Sequence, residues 1–193
     1  MSAVLEVVEV ALAVARALER SGVEYTLGGS VATSLQGEPR STNDIDFAVK
    51  LTEHDVRPFV QALGPDFDVD EEALVDAIRR RRSANIFHLP SMTKVDLFIR
   101  GGEAFDLSEF SRRIRVEVQP PEGLFLASTE DNLLRKLRWF RMGGETSDRQ
   151  WRDVLGLVRV AGDSFDLAYL RQWATSLGVA DLLERALGTT MDA

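Results

Sequence analysis

No cysteine occurs in the chain. That excludes disulfides, thiolate nucleophiles and cysteine-based zinc sites, and makes a reducing cytoplasm the expected compartment. Histidine is nearly as scarce: His54 and His88 are the only two, and neither has a ligand partner at useful spacing, so a structural or exposed place is expected for both. Positive charge is in deficit, with 23 Lys and Arg against 31 Asp and Glu and a formal net charge of −8. This argues against a broad electrostatic grip on nucleic acid, although a local basic groove stays open. Long apolar runs are missing as well. Between Ser2 and Arg20 the hydrophobic stretch is broken by Glu6, Glu9 and Arg16, short of the roughly 18 uncharged residues a spanning helix needs. The basic start of a signal peptide is also lacking. There is no internal repeat and no low-complexity segment.

What is there fits a globular protein. The chain has 193 residues, 45% of them hydrophobic, enough for one domain or one domain with an appendage. Leu5, Val8, Leu12, Ala15 and Leu18 form an apolar stripe that predicts an amphipathic helix to Arg20, stopped by Gly22. Val23–Leu27 reads as a strand, 31–36 as a short helix, and Asp44–Leu51 as a strand with clear alternation. Thr52, with Asp55 three residues on, opens a helix to Leu63. A further helix is expected over Glu71–Arg80, then strands at Ala84–Leu89, Lys94–Ile99 and Ile114–Val118. From Thr129 the periodicity is helical, with helices near 129–142, Asp148–Val160, Asp166–Leu177 and Val179–Leu187. The expectation is an α/β (α+β) fold: a mixed sheet flanked by helices over residues 1–125, with a C-terminal helical region over 126–193 packed on it.

Three short stretches carry chemistry. Gly28-Gly29-Ser30 lies between a strand and a helix, where glycines admit a ligand to the backbone and a helix start favours phosphate. Asp44-Ile45-Asp46 lies on a strand, so both carboxylates share a face while Ile45 and Phe47 turn to the core. Two negative charges side by side weaken a sheet unless a cation sits between them, and oxygen-only ligation points to magnesium or manganese. Asp96, flanked by Val95 and Leu97, is the single carboxylate in the otherwise apolar strand Lys94–Ile99. Paired beside the Asp44 strand, it would complete a cluster able to hold two metals roughly 3.5–4 Å apart for in-line phosphoryl displacement.

Gly28-Gly29-Ser30, then Arg40-Ser41-Thr42-Asn43-Asp44-Ile45-Asp46-Phe47, then Val95-Asp96-Leu97-Phe98, together resemble the DNA polymerase β-like nucleotidyltransferase superfamily. Within it the chain resembles small bacterial proteins of the AbiEii-type toxin kind and related uncharacterised nucleotidyltransferases, whose glycine-pair-to-DID run is matched by residues 28–46. The resemblance implies a nucleotidyltransferase-type mixed sheet and magnesium- or manganese-dependent transfer of a nucleoside monophosphate from an NTP. The acceptor would be an RNA such as tRNA, a protein or a small molecule. It further implies that Asp44 and Asp46 bind both metals, and that Asp96 binds the catalytic one and assists in deprotonating the acceptor. Gly28, Gly29 and Ser30 would touch the triphosphate. Arg40 and Thr42 would face the nucleotide, and Lys136 and Asp153 stand where relatives carry a helical lysine and a later acid. A toxin role with an antitoxin protein as partner is open, and so is a catalytically inactive fold relative that binds a nucleotide or protein.

Other features have two readings each. Arg79–Arg82 is a solvated helix end or a substrate-binding patch. Arg135, Lys136, Arg138 and Arg141 mark a solvated or a phosphate-binding helix face. Trp139 and Trp151 are expected to pack, not to stack on bases.

Overall fold

The computed structural model describes residues 3–36 and 44–191. The chain divides into two compact units. One holds the N-terminal residues to Val31 and the strands up to Leu126; the other holds residues 32–36 and everything from Ala127.

The first unit is built on a seven-stranded mixed sheet. Its strands are β1 (Tyr25–Leu27), β2 (Asp44–Val49), β3 (Phe67–Asp68), β4 (Ser83–His88), β5 (Thr93–Ile99), β6 (Ile114–Gln119) and β7 (Glu122–Leu126), in spatial order β3-β4-β5-β2-β1-β7-β6. β2 runs parallel to β5 and β1 parallel to β7, while the other neighbours are antiparallel. Alternation explains which face is core. Ile45, Phe47 and Val49 on β2 and Val95 and Leu97 on β5 are fully buried, each worth about 1.5–3 kcal/mol of apolar transfer. Tyr25 joins them, its ring edge-on to Phe47 at 5.4 Å.

Four helices belong to this unit: α1 (Ala3–Arg20), α3 (Val56–Leu63), α4 (Glu71–Arg80) and α5 (Ala104–Arg112), with a 3₁₀ turn at Glu53–Asp55 leading into α3. In α1 the buried face takes in Val7, Val10, Ala11, Val14 and Leu18. It is broader than the stripe read from sequence, and Val8 is only half-buried. Thr52 caps as expected: the Asp55 carboxylate accepts from its N–H at 2.9 Å and its hydroxyl at 2.6 Å. The helix it opens is split, the first turn being 3₁₀. α4 matches its expected bounds, with Asp70 Oδ1 accepting from Ala73 N–H at 2.9 Å. α5, β3 and β7 had no sequence signal. α5 is anchored by Asp106, whose buried carboxylate accepts from the N–H groups of Gly101, Gly102 and Glu103 at 3.1–3.3 Å.

α2 (Gly29–Gln36) is shared: its first turn counts with the first unit and its remainder with the second. The second unit adds α6 (Thr129–Met142), α7 (Asp148–Ala161), α8 (Leu167–Ser176) and α9 (Ala180–Met191). Leu133, Leu134, Leu137 and Phe140 form the buried stripe of α6. Trp139 falls off that stripe and is 42% exposed, against the packing expected of it. Trp151 does pack, its ring 5.2 Å from Phe140 and beneath the Arg185 guanidinium. Asp131 ties α6 to α8, accepting from Ser128 Oγ at 2.7 Å and from the Tyr169 hydroxyl at 2.6 Å. Among the described residues no helix is long and apolar enough to cross a membrane.

Candidate functional site

The carboxylates meet through strand register. β2 and β5 lie parallel with Asp44 opposite Lys94 and Asp46 opposite Asp96. Since alternate residues share a face, Asp44, Asp46, Lys94 and Asp96 all stand on the side away from the core. Asp44 is exposed, and Asp46 and Asp96 are half-buried.

The glycine turn is built against this face. Gly28 N–H donates to the Asp46 carbonyl at 2.9 Å, so Gly28 extends the β1–β2 pairing and fastens the turn to the acid strand. Gly29 follows at φ +61°, and a Cβ placed on it would sit 1.8 Å from Asp46 Oδ2. Only glycine leaves the Asp46 carboxylate where it is. Gly29 and Ser30 form the first turn of α2, whose dipole is positive at that end. Gly29→Ala is therefore expected to cost about 1–2 kcal/mol from the left-handed backbone alone and to push the Asp46 carboxylate aside. A thermal melt, with a crystal structure of the variant, checks both.

One side chain of the site was not singled out from sequence. Lys94 Nζ lies 2.8 Å from Asp96 Oδ2, and its pKa is held above the ordinary lysine value, first by that hydrogen bond and then by the charges of Asp96, Asp44 and Asp46. The signal was present as i and i+2 spacing on one strand. Among the described residues, no group of three or more His, Asp or Glu side chains is arranged as it stands to hold a metal ion. The chemistry of the donors nevertheless suits one. Asp44, Asp46 and Asp96 offer only hard oxygen atoms, fitting magnesium or manganese and not zinc, and the side-chain-free Gly29 gives the Asp46 carboxylate its room.

Arg40 and Thr42 lie outside the described residues. Lys136 and Asp153 belong to the second unit and are bonded to each other, Nζ to Oδ2 at 2.9 Å, with side chains only 10% and 7% exposed. The arginine run is taken up locally. Arg79 pairs with Glu53 and Arg80 with Asp76. Arg81 ends α4 at φ 51° with its guanidinium over Gly102. His54 is exposed, and His88 Nδ1 hydrogen-bonds Ser91 Oγ at 2.7 Å.

No family model matches the chain, and no curated protein does. Solved structures do. The antibiotic-resistance factor ANT(2'')-Ia shares 13% identity at a TM-score of 0.53, over 92% of this chain and 97% of that one. JHP933 from Helicobacter pylori shares 15% at 0.52, over 100% and 95%. An antigenic nucleotidyltransferase-like protein from Paracoccidioides brasiliensis shares 17% at 0.47, over 91% of each. At such identities the likeness is one of fold, and the fold is of nucleotidyltransferase type.

Proposed function

We propose that the chain is a nucleotidyltransferase that moves a nucleoside monophosphate from an NTP to a hydroxyl or phosphate of an RNA, a protein or a small molecule. The observation that carries this reading is the register that sets Asp46 opposite Asp96, with Asp44 on the same face and Gly29 closed against Asp46. Asp44, Asp46 and Asp96 would hold magnesium or manganese. Bound there, the metal would offset triphosphate charge and polarise the transferred phosphoryl group. Gly29 and Ser30, at the positive end of α2, would orient the triphosphate. Asp96 would also take the acceptor proton.

The Lys136–Asp153 pair has a structural part in this reading, holding α6 to α7. The likeness to AbiEii-type toxins rests on residues 28–46, with Lys136 and Asp153 at the places of a helical lysine and a later acid, and a toxin role would follow from an acceptor the cell cannot spare. A second reading, a fold relative that no longer catalyses, draws on the Lys94 ammonium already seated on Asp96.

Calorimetric titration with each NTP, run once with magnesium and once with EDTA, tests the metal-dependent nucleotide site on which the enzyme reading depends. Nucleotide binding that appears only with magnesium is the expected result. No binding of any NTP by the folded protein with magnesium present would sink the enzyme reading.

A further inference from the structure

The face that carries the three carboxylates also carries a cation, and backbone register sets it there. Lys94 is two residues before Asp96 on β5 and directly across from Asp44 on β2. Its ammonium therefore shares the face with every acid of the site. The side chain is 37% exposed and that of Asp96 14%, so the ion pair is partly withdrawn from solvent, where screening is weaker than at an open surface.

We propose that Lys94 is an internal counter-ion of the acid face: its ammonium holds Asp96 in place of a divalent metal and must be displaced for the metal to bind. The inference rests on the reading of Asp44, Asp46 and Asp96 as metal ligands. An ammonium and a divalent cation neutralise the same carboxylates, and both draw on the Asp96 oxygens. Seated side by side they repel, so one excludes the other. Lysine suits the part, being a compact charge on a flexible four-carbon stem that can swing away without moving the strand.

The displaced ammonium needs a new partner. A free metal ion brings none, whereas a metal–nucleotide complex brings the negative triphosphate with it. Metal alone therefore binds weakly, and metal with nucleotide binds well, a coupling between the two ligands. This also accounts for carboxylates that share a face and a register without forming a ready-made metal cluster among the described residues. The seated ammonium thus becomes a gate, not the mark of a lost activity.

The test is manganese alone, titrated into the purified chain without nucleotide and followed by the electron paramagnetic resonance of the free ion. Lys94→Met removes the charge and is expected to bind manganese about tenfold more tightly than wild type. Lys94→Arg keeps a cation and should stay near wild-type affinity. Lys94→Gln serves as a second neutral variant should the methionine variant fail to fold. As a readout besides affinity, manganese should raise the melting temperature of the neutral variants more than that of the wild type. Neutral variants that bind no more tightly than wild type, while Asp46→Asn abolishes binding, would overturn the counter-ion proposal and leave the metal ligands standing. Manganese binding by neither wild type nor neutral variants, at millimolar ion, would overturn the ligand reading and the counter-ion with it.

Discussion

Asp46→Asn is expected to weaken magnesium-dependent nucleotide binding by more than about a hundredfold while leaving the melting temperature within a few degrees of wild type. The amide keeps the shape of the side chain and loses the charge that a hard cation requires. The bond that fastens the glycine turn to β2 runs from Gly28 N–H to the Asp46 carbonyl, which the substitution does not touch. Two electrostatic changes oppose each other: repulsion from Asp96, directly across the strand pair, is relieved, and attraction to the Lys94 ammonium is lost. Calorimetry with magnesium and a circular-dichroism melt measure the two halves of the prediction. A variant that unfolds would show Asp46 to be structural and the site assignment mistaken.

The second large effect lies in the helical unit. Lys136→Met or Asp153→Asn is expected to destabilise that unit by about 3–5 kcal/mol, because either change breaks a buried, hydrogen-bonded ion pair. Nζ and Oδ2 are 2.9 Å apart, with little of either side chain open to solvent. Removing both charges together, in Lys136→Met/Asp153→Leu, should recover most of the loss, since apolar replacements of similar volume are often neutral. The protein carries its own reporter, for Trp139, Trp151 and Trp173 all lie in this unit. Denaturant titration followed by tryptophan fluorescence therefore reads it selectively. A single variant costing less than about 1 kcal/mol would deny the pair its structural part. Nucleotide titration of the same variants, at a temperature where they stay folded, tells a structural part from a direct nucleotide contact.

How much of this was legible in the sequence depended on whether an element carries its own pattern. β2 alternates so regularly that its core and open faces could be read from Ile45 and Phe47 alone, whereas on β5 the face shared by Lys94, Asp96 and Phe98 is mixed and the pattern by itself does not settle it. α4 is bracketed by a capping Asp70 and a basic end. β3 is two residues held by pairing with β4, and no local signal marks it. β7 meets β1 through a single register pair some hundred residues away in sequence, a non-local pairing that periodicity cannot reveal. α5 buries Asp106 and Glu109 among its apolar residues, which blurs the amphipathic pattern, and its anchoring carboxylate is the N3 residue of a capping box whose N-cap is Glu103 in place of the usual Ser or Thr. At the site, i and i+2 spacing placed Asp44 and Asp46 on one face. Lys94 obeys the same rule with Asp96, but a lysine beside an acid on an exposed strand reads as ordinary solvation. Only the register across to β2 puts it among three carboxylates.

The sharing of α2 between the two units bears on how the chain is made. Asn132 Nδ2 donates to Thr33 Oγ1 and Gln36 Oε1, partners 99 and 96 residues earlier, and Gln36 Nε2 reaches back to the Ala127 carbonyl at 2.6 Å. During synthesis, residues 32–36 must wait for nearly the whole sheet to emerge before their partners exist. Closing so long a loop in a disordered chain costs entropy. The pairing of Leu27 with Leu126 on neighbouring strands closes most of it beforehand, because α2 departs from one of these strands and α6 from the other. The sheet is thus a staple for the helices, and a cut at 126 would strand Thr33 and Gln36 on the wrong fragment.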